Sequence, residues 1–172
     1  MRQIEGGINA AKGFQAAGVE AGVKYHNRRD MALVYSTAPC VAAGTFTTNV
    51  VKAAPVMWDM EVVDKSSFVQ AAVVNTGMAN SATGRQGMDC CRREAECAGR
   101  LLGIPADAVL IASTGVIGVQ LPEDRIMKGI EKLAEAKSEG RDAARDAAMA
   151  IMTTDTHPKE IAVEMTIGGK TV

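Results

Sequence analysis

Aromatic residues are nearly absent from this sequence: one Trp, two Tyr and three Phe account for 3% of 172 residues. A core without rings must be assembled from Ala, Val, Ile, Leu and Met in close contact, and the 17 Gly and 10 Met fit that economy. An excess of one charge is also lacking. Nineteen Lys and Arg stand against 20 Asp and Glu, so no basic surplus marks a nucleic-acid binder. Long apolar runs are missing, and nothing approaches the roughly 20 residues that a membrane helix needs. The opening Met1-Arg2-Gln3-Ile4-Glu5-Gly6-Gly7 has no signal-peptide run. Cytoplasmic location is the expectation, with neither membrane nor nucleic acid as a partner.

Metal-ligand spacing is lacking too. Cys40, Cys90, Cys91 and Cys97 form no Cys-x-x-Cys pair, and His26 and His157 lie far from the cysteine cluster. No metal is expected, and the thiols read as reduced fillers of small core spaces.

What is present is an ordinary globular balance, 47% hydrophobic and 23% charged, on a length that suits one domain. Residues 1–172 read as a single α/β domain. Ala10–Gly22 is too glycine-rich for a stable helix and reads as a loop or short irregular strand. Met31–Ser36, Ala42–Asn49, Phe68–Asn75 and Ala108–Ala112 read as strands, the third ending in the turn signal Asn75-Thr76-Gly77. Met88, Cys91, Ala95, Ala98, Leu101 and Leu102 recur at helical spacing, with Gly103 and Pro105 as the stop. A second helix opens at Pro122 and buries Ile126, Ile130 and Leu133; a third spans about Arg141–Met152. Ile161–Ile167 alternates at period two, and Gly168-Gly169 reads as a hairpin turn into Lys170-Thr171-Val172. A strand broken off so soon predicts a longer product, completed by another polypeptide.

Three polar segments interrupt this pattern. Asn75–Gly84 is either a loop with a Ser81 or Thr83 helix cap or a backbone-rich binding loop at a strand's carboxyl end. In Ala112-Ser113-Thr114-Gly115-Val116-Ile117-Gly118, a tight glycine turn would present the Gly115 N–H beside the Thr114 hydroxyl. Two donors converging on one point can hold a developing oxyanion, although Ser-Thr-Gly also serves ordinary structural turns. Thr153-Thr154-Asp155-Thr156-His157-Pro158 is either a polar helix exit or a hydroxyl cluster for a small polar substrate. His157 has no evident nucleophile partner and reads as a surface residue. Glu123 and Asp124 suit a helix start.

Taken in order, these segments resemble the α chain of the ornithine acetyltransferase family of arginine biosynthesis, also called glutamate N-acetyltransferase. The resemblance runs through Gly6-Gly7-Ile8, Lys12-Gly13-Phe14, Ala17-Gly18-Val19, Ala43–Asn49, Val51–Val56, Ala112–Gly118, Leu121-Pro122 and Ile151–Thr156. It implies mixed sheets layered with helices, an N-terminal-nucleophile-like α/β architecture completed by a β chain. It further implies a self-cleaved precursor whose β chain begins with the nucleophilic threonine. That residue takes acetyl from N-acetylornithine as an acyl-enzyme and passes it to glutamate by a ping-pong route.

In such a family Thr114 and Gly115 correspond to the oxyanion hole and Thr153 to a substrate contact, with Thr154 and Thr156 the alternatives if the alignment shifts. No resident cofactor is implied, and acetyl-CoA is open as a co-substrate. The partners implied are the β chain, in an αβ unit that assembles to a heterotetramer, and the chain alone is expected to be inactive. Two positions depart from the family pattern: Met78 and Ala82 stand where Asn and Cys are usual. A Lys-Gly-Ser-Gly-Met type segment before the cleavage point would follow Val172. An N-terminal-nucleophile aminopeptidase or amidohydrolase subunit, or a non-catalytic α/β binding module, are the competing readings.

Overall fold

The computed structural model describes residues 1–172. In chain order the strands are β1 (Arg2–Ile4), β2 (Phe14–Val19), β3 (Met31–Cys40), β4 (Val69–Met78), β5 (Val109–Val116), β6 (Ala162–Glu164), β7 (Thr166–Ile167) and β8 (Lys170–Thr171). The helices are α1 (Ala54–Lys65), α2 (Gly84–Leu102), α3 (Glu123–Ala136) and α4 (Arg141–Ala150). A central sheet has the order β2-β3-β4-β5, antiparallel except for the parallel β4–β5 pair, which runs in register from Ala71 opposite Val109 to Met78 opposite Val116. β1 pairs with β6, and β7 with β8, as separate two-stranded ribbons.

Alternation along the strands decides what each face of the sheet meets. Val69, Ala71, Val73 and Asn75 of β4 are buried on one face, and Gln70, Ala72 and Val74 are half-buried on the other. The first face carries the main core, where Met31, Leu33, Val73, Val109 and Ile111 pack against Cys91, Ala95 and Ala98 of α2 and Ile126, Ile130 and Leu133 of α3. On the second face α4 meets β2 and β3 through Ala16, Ala32, Ala147 and Ala150. A β-carbon at Gly18 would run into the backbone of Asp146. Small side chains here let helix and sheet backbones approach closely, which explains how a nearly ring-free sequence builds a dense interior.

Helix ends follow local chemistry. α2 stops at Gly103, in the left-handed conformation at φ 69, and α3 follows Pro122 with Glu123 and Asp124 in its first turn. Thr83 precedes α2 without a side-chain capping bond, because its hydroxyl donates to Asn80 Oδ1 at 2.6 Å. Gly168-Gly169 does form the β7–β8 turn, closed by reciprocal 2.8 Å bonds between Met165 and Val172.

Several sequence expectations are corrected. Ala42–Asn49 is not a strand: it is largely exposed, and no neighbouring strand offers it a ladder. Asn75-Thr76-Gly77 is not a turn either, since β4 continues through it to Met78 alongside β5. The Ile161–Ile167 strand is divided at Met165 into β6 and β7. Leu101 is exposed rather than buried. Cys90, Cys91 and Cys97 are buried free thiols, whereas Cys40 is half-exposed. α1 was not expected, since its buried residues are few: Ala54, Pro55 and Val62. No helix is long and apolar enough to cross a membrane.

Candidate active site

β5 is an edge strand, and its outer edge changes character along its length. Near its start α1 covers it: Trp58 Nε1 donates to the Val109 carbonyl at 2.9 Å, and Asp59 Oδ1 accepts the Ile111 N–H at 2.9 Å. Burial pushes the Asp59 carboxyl up to about 6, a rise opposed by that N–H bond. These contacts show that the main-chain groups of Val109 and Ile111 point away from β4. Strand alternation sends those of Ser113 and Gly115 the same way. The opposite parity is visible one residue on, where the Val116 carbonyl accepts the Ala79 N–H on the β4 side at 2.9 Å. The Gly115 N–H therefore points out from the sheet edge, beyond the reach of α1.

Thr114 sits beside it on β5, not in a turn as its sequence suggested. Its partner in the parallel register is Thr76, and side chains opposite one another in register share a face, so Thr114 stands on the α4 face of the sheet and is exposed there. Gly115 has φ 135, where a β-carbon would lie against the Gly77 carbonyl instead of standing off the sheet. Glycine at position 115 lets β4 and β5 stay paired to the end of the ladder, and glycine at 77 clears the side chains of Lys24 and Tyr25.

The neighbouring Asn75–Gly84 segment is spent on holding this end of the sheet. Ser113 Oγ accepts the Asn80 N–H at 2.9 Å and lies 3.1 Å from the Met78 carbonyl, to which Asn75 Nδ2 also donates at 2.8 Å. Asn80 Nδ2 donates to the Gly87 carbonyl at 2.9 Å. The Asn75 Oδ1 is buried without a partner. Of the two departures from the family pattern, Met78 packs against the core and the exposed Ala82 takes a left-handed φ of 57.

The third segment arrives at the same place from the other side. Thr76 Oγ1 lies 3.0 Å from the Ala150 carbonyl, at the last residue of α4. Since Thr76 and Thr114 are register partners, the exit of α4 is anchored next to the Thr114–Gly115 strand end. Thr153 follows three residues later and is half-buried. Its carbonyl accepts 3.3 Å bonds from both terminal nitrogens of Arg28, of which Nη2 also donates to the Met152 carbonyl. Thr154 and Thr156 are exposed, the latter 3.1 Å from His157 Nδ1.

Of the predicted residues, Thr114 and Gly115 stand together at the end of β5 and Thr153 follows the α4 exit that Thr76 ties to β4, while the exposed His157 borders a cavity against α4. This cavity of about 720 Å³ is also lined by Ala32, Val34, Val74, Ala147 and Ile151, and includes none of Thr114, Gly115 and Thr153. No cluster of three or more His, Cys, Asp or Glu is grouped as metal ligands would be. Sequence reasoning missed Arg28, and it placed Thr76 in a candidate loop without its tie to α4; their bonds to the α4 exit span 125 and 74 positions, and no local pattern announces such contacts.

Comparison with known proteins gives a consistent result. The sequence profile of the ArgJ family matches residues 15–172. The arginine biosynthesis bifunctional protein ArgJ of Gloeobacter violaceus is 48% identical over 170 residues, which cover 98% of this chain and 41% of that protein. Its namesake from Thermotoga neapolitana is 48% identical over 162 residues, 94% and 40% of the two lengths. The chain spans about two fifths of the curated relatives it matches. The crystal structure of the Bacillus halodurans protein aligns with a TM-score of 0.93 at 35% identity, covering 99% of this chain and 88% of that one. Ornithine acetyltransferase from Mycobacterium tuberculosis, solved in complex with ornithine, aligns at 0.89 and 38% identity, covering 93% and 86%. The mixed α/β fold expected from the sequence is the fold of these structures.

Proposed function

This chain belongs to the ArgJ family of bifunctional arginine-biosynthesis enzymes, and from that premise we propose that it supplies the oxyanion-binding half of a glutamate N-acetyltransferase. The other half is a β chain released from the same precursor, whose N-terminal threonine is the nucleophile. The lengths favour a divided precursor: the chain is 41% of a curated relative yet covers 88% of a solved homologous chain.

The threonine hydroxyl adds to the acetyl carbonyl of N-acetylornithine, and negative charge collects on the carbonyl oxygen. The Thr114 hydroxyl and the Gly115 N–H donate to that oxygen. Collapse of the intermediate breaks the C–N bond, and ornithine leaves with a proton on its amine. The glutamate amine then attacks the threonine ester, forming a second oxyanion held by the same two donors; its collapse breaks the ester C–O bond and the amine proton passes to the threonine oxygen, yielding N-acetylglutamate and the free hydroxyl. Thr153 contacts the substrate. These steps use no metal and no resident cofactor, and acetyl-CoA, as a second donor, would form the same acetyl-threonine ester with CoA as the leaving thiol. Two αβ units form the heterotetramer, which acts in the cytoplasm, and the α chain alone is inactive.

The observation that supports this reading most is the free direction of the Gly115 N–H, beside an exposed Thr114 hydroxyl at the strand end. Its test is Thr114→Ala in the full precursor, with self-cleavage followed on the same samples by separating the chains. Turnover of cleaved enzyme should fall on the order of 10²-fold, with acetyl still delivered to glutamate. Unchanged turnover would overturn the site, and acetate released in place of N-acetylglutamate would reassign the activity to a hydrolase.

A further inference from the structure

The loop between β2 and β3 is tied down more heavily than a connection of its length requires. The buried Asp30 carboxylate accepts the N–H of Ala21 at 2.7 Å and of Val23 at 2.6 Å. The Asp30 carbonyl accepts the Thr76 N–H at 2.9 Å. Arg29 pairs with Asp146 of α4 at 2.9 Å. Within this clamp the half-buried Arg28 forms no salt bridge and places its guanidinium on the carbonyls of Met152 and Thr153. Those groups lie just past the α4 terminus, where the partial negative end of the helix dipole favours a cation.

The opposite side of Arg28 is equally occupied. Its guanidinium carbon lies 4.6 Å from the centre of the Tyr25 ring. That ring covers Gly77, where a β-carbon would come within 3.1 Å of Tyr25 Cε2, and Gly77 is the register partner of Gly115. A continuous row of contacts therefore runs from the Thr153 backbone through Arg28 and Tyr25 to the Gly77–Gly115 pair. It joins the two halves of the site described above.

We propose that Arg28 is a positioning residue for acyl transfer: braced on Tyr25, it sets Thr153 relative to the Thr114–Gly115 pair. The proposal rests on the reading of Thr153 as a substrate contact and goes beyond it by naming what holds that contact in place. A planar fork suits this task, since it can bond adjacent carbonyls while stacked on a ring. A lysine keeps the charge but not the shape.

The test uses the full-length, self-cleaved enzyme with N-acetylornithine and glutamate, and four variants: Arg28→Ala, Arg28→Lys, Thr153→Ala and the Arg28→Ala/Thr153→Ala double. Arg28→Ala should raise KM for N-acetylornithine about tenfold, with kcat changed less than about threefold. Arg28→Lys should recover part of that loss, and it carries the test if the alanine variant fails to fold or cleave. In the double variant the Arg28 effect should largely vanish, because residues acting through one another are not additive. If Thr153→Ala is impaired while Arg28→Ala matches wild type, or the two effects simply add, the positioning role is overturned and the Thr153 reading survives. If Thr153→Ala itself matches wild type, the Thr153 reading falls and the proposal with it.

Discussion

Gly77 and Gly115 face one another in register across the β4–β5 ladder, and a β-carbon on Gly115 would fall on the Gly77 carbonyl. The contact is with backbone, so no side chain can swing aside to relieve it. With φ 135, Gly115 also sits where L side chains are strained. Pairing of the two strands to their very ends depends on Gly115, while Gly77, at φ 97, is held to glycine by Lys24 and Tyr25.

Gly115→Ala should accordingly be far more damaging than its single methyl suggests. Relief requires β4 and β5 to separate or the backbone to rotate, at roughly 2–4 kcal/mol. Urea denaturation of the full-length protein measures this, and a variant with wild-type stability would show that the strand end is not held as described.

Ala82→Gly points the other way. Ala82 is exposed and adopts φ 57, so the substitution removes left-handed strain and gives up little packing. Even with the added flexibility of the unfolded chain, a gain of about 1 kcal/mol is expected. A lower midpoint on the same denaturation curve would contradict it.

Glu94 makes stability depend on pH. It is fully buried on α2, and burial pushes its carboxyl up to about 7, with the Cys90 thiol 3.4 Å away opposing the rise and Glu123 adding to it. Because the folded protein holds this proton more tightly than the unfolded chain does, the contribution of Glu94 to stability is complete below about pH 4.5. It falls as pH climbs toward 7, by on the order of 3 kcal/mol, and then levels. Asp59, raised to about 6, adds a decline of the same sign that ends earlier. Glu94→Gln should therefore gain on wild type progressively between pH 4.5 and about 8, read as the difference between two sets of urea curves. Parallel curves across that range would exclude Glu94 as the source.

What could be read from the residues was what they do locally. Ile126, Ile130 and Leu133 announce α3 because all three face one core, and the short apolar strand β5 is recognisable for the same reason. Ala42–Asn49 has the side chains of a strand, but extended structure also needs a neighbour's hydrogen bonds, and its own residues do not reveal that none is present. α1 stayed hidden because it spends Trp58 and Asp59 on the main chain of another element, which leaves no periodic stripe. At the site, Thr114 and Gly115 looked like one turn among many until family resemblance singled them out. Their placement on a strand edge, and the tie from Arg28 to Thr153 across 125 positions, come from the folded chain.

The edge of β5 serves two masters. At Val109 and Ile111 the outward carbonyl and N–H are taken by α1; by strand alternation those of Ser113 and Gly115 point out along the same edge. An unoccupied strand edge welcomes any peptide that approaches in extended form, whether a reacting amide or a neighbouring molecule's backbone. In the proposed reaction, reactivity and adhesiveness therefore share one short stretch of main chain. Blocking that edge with a proline at Gly115 to improve solubility would remove the N–H donor that the proposed acyl transfer uses.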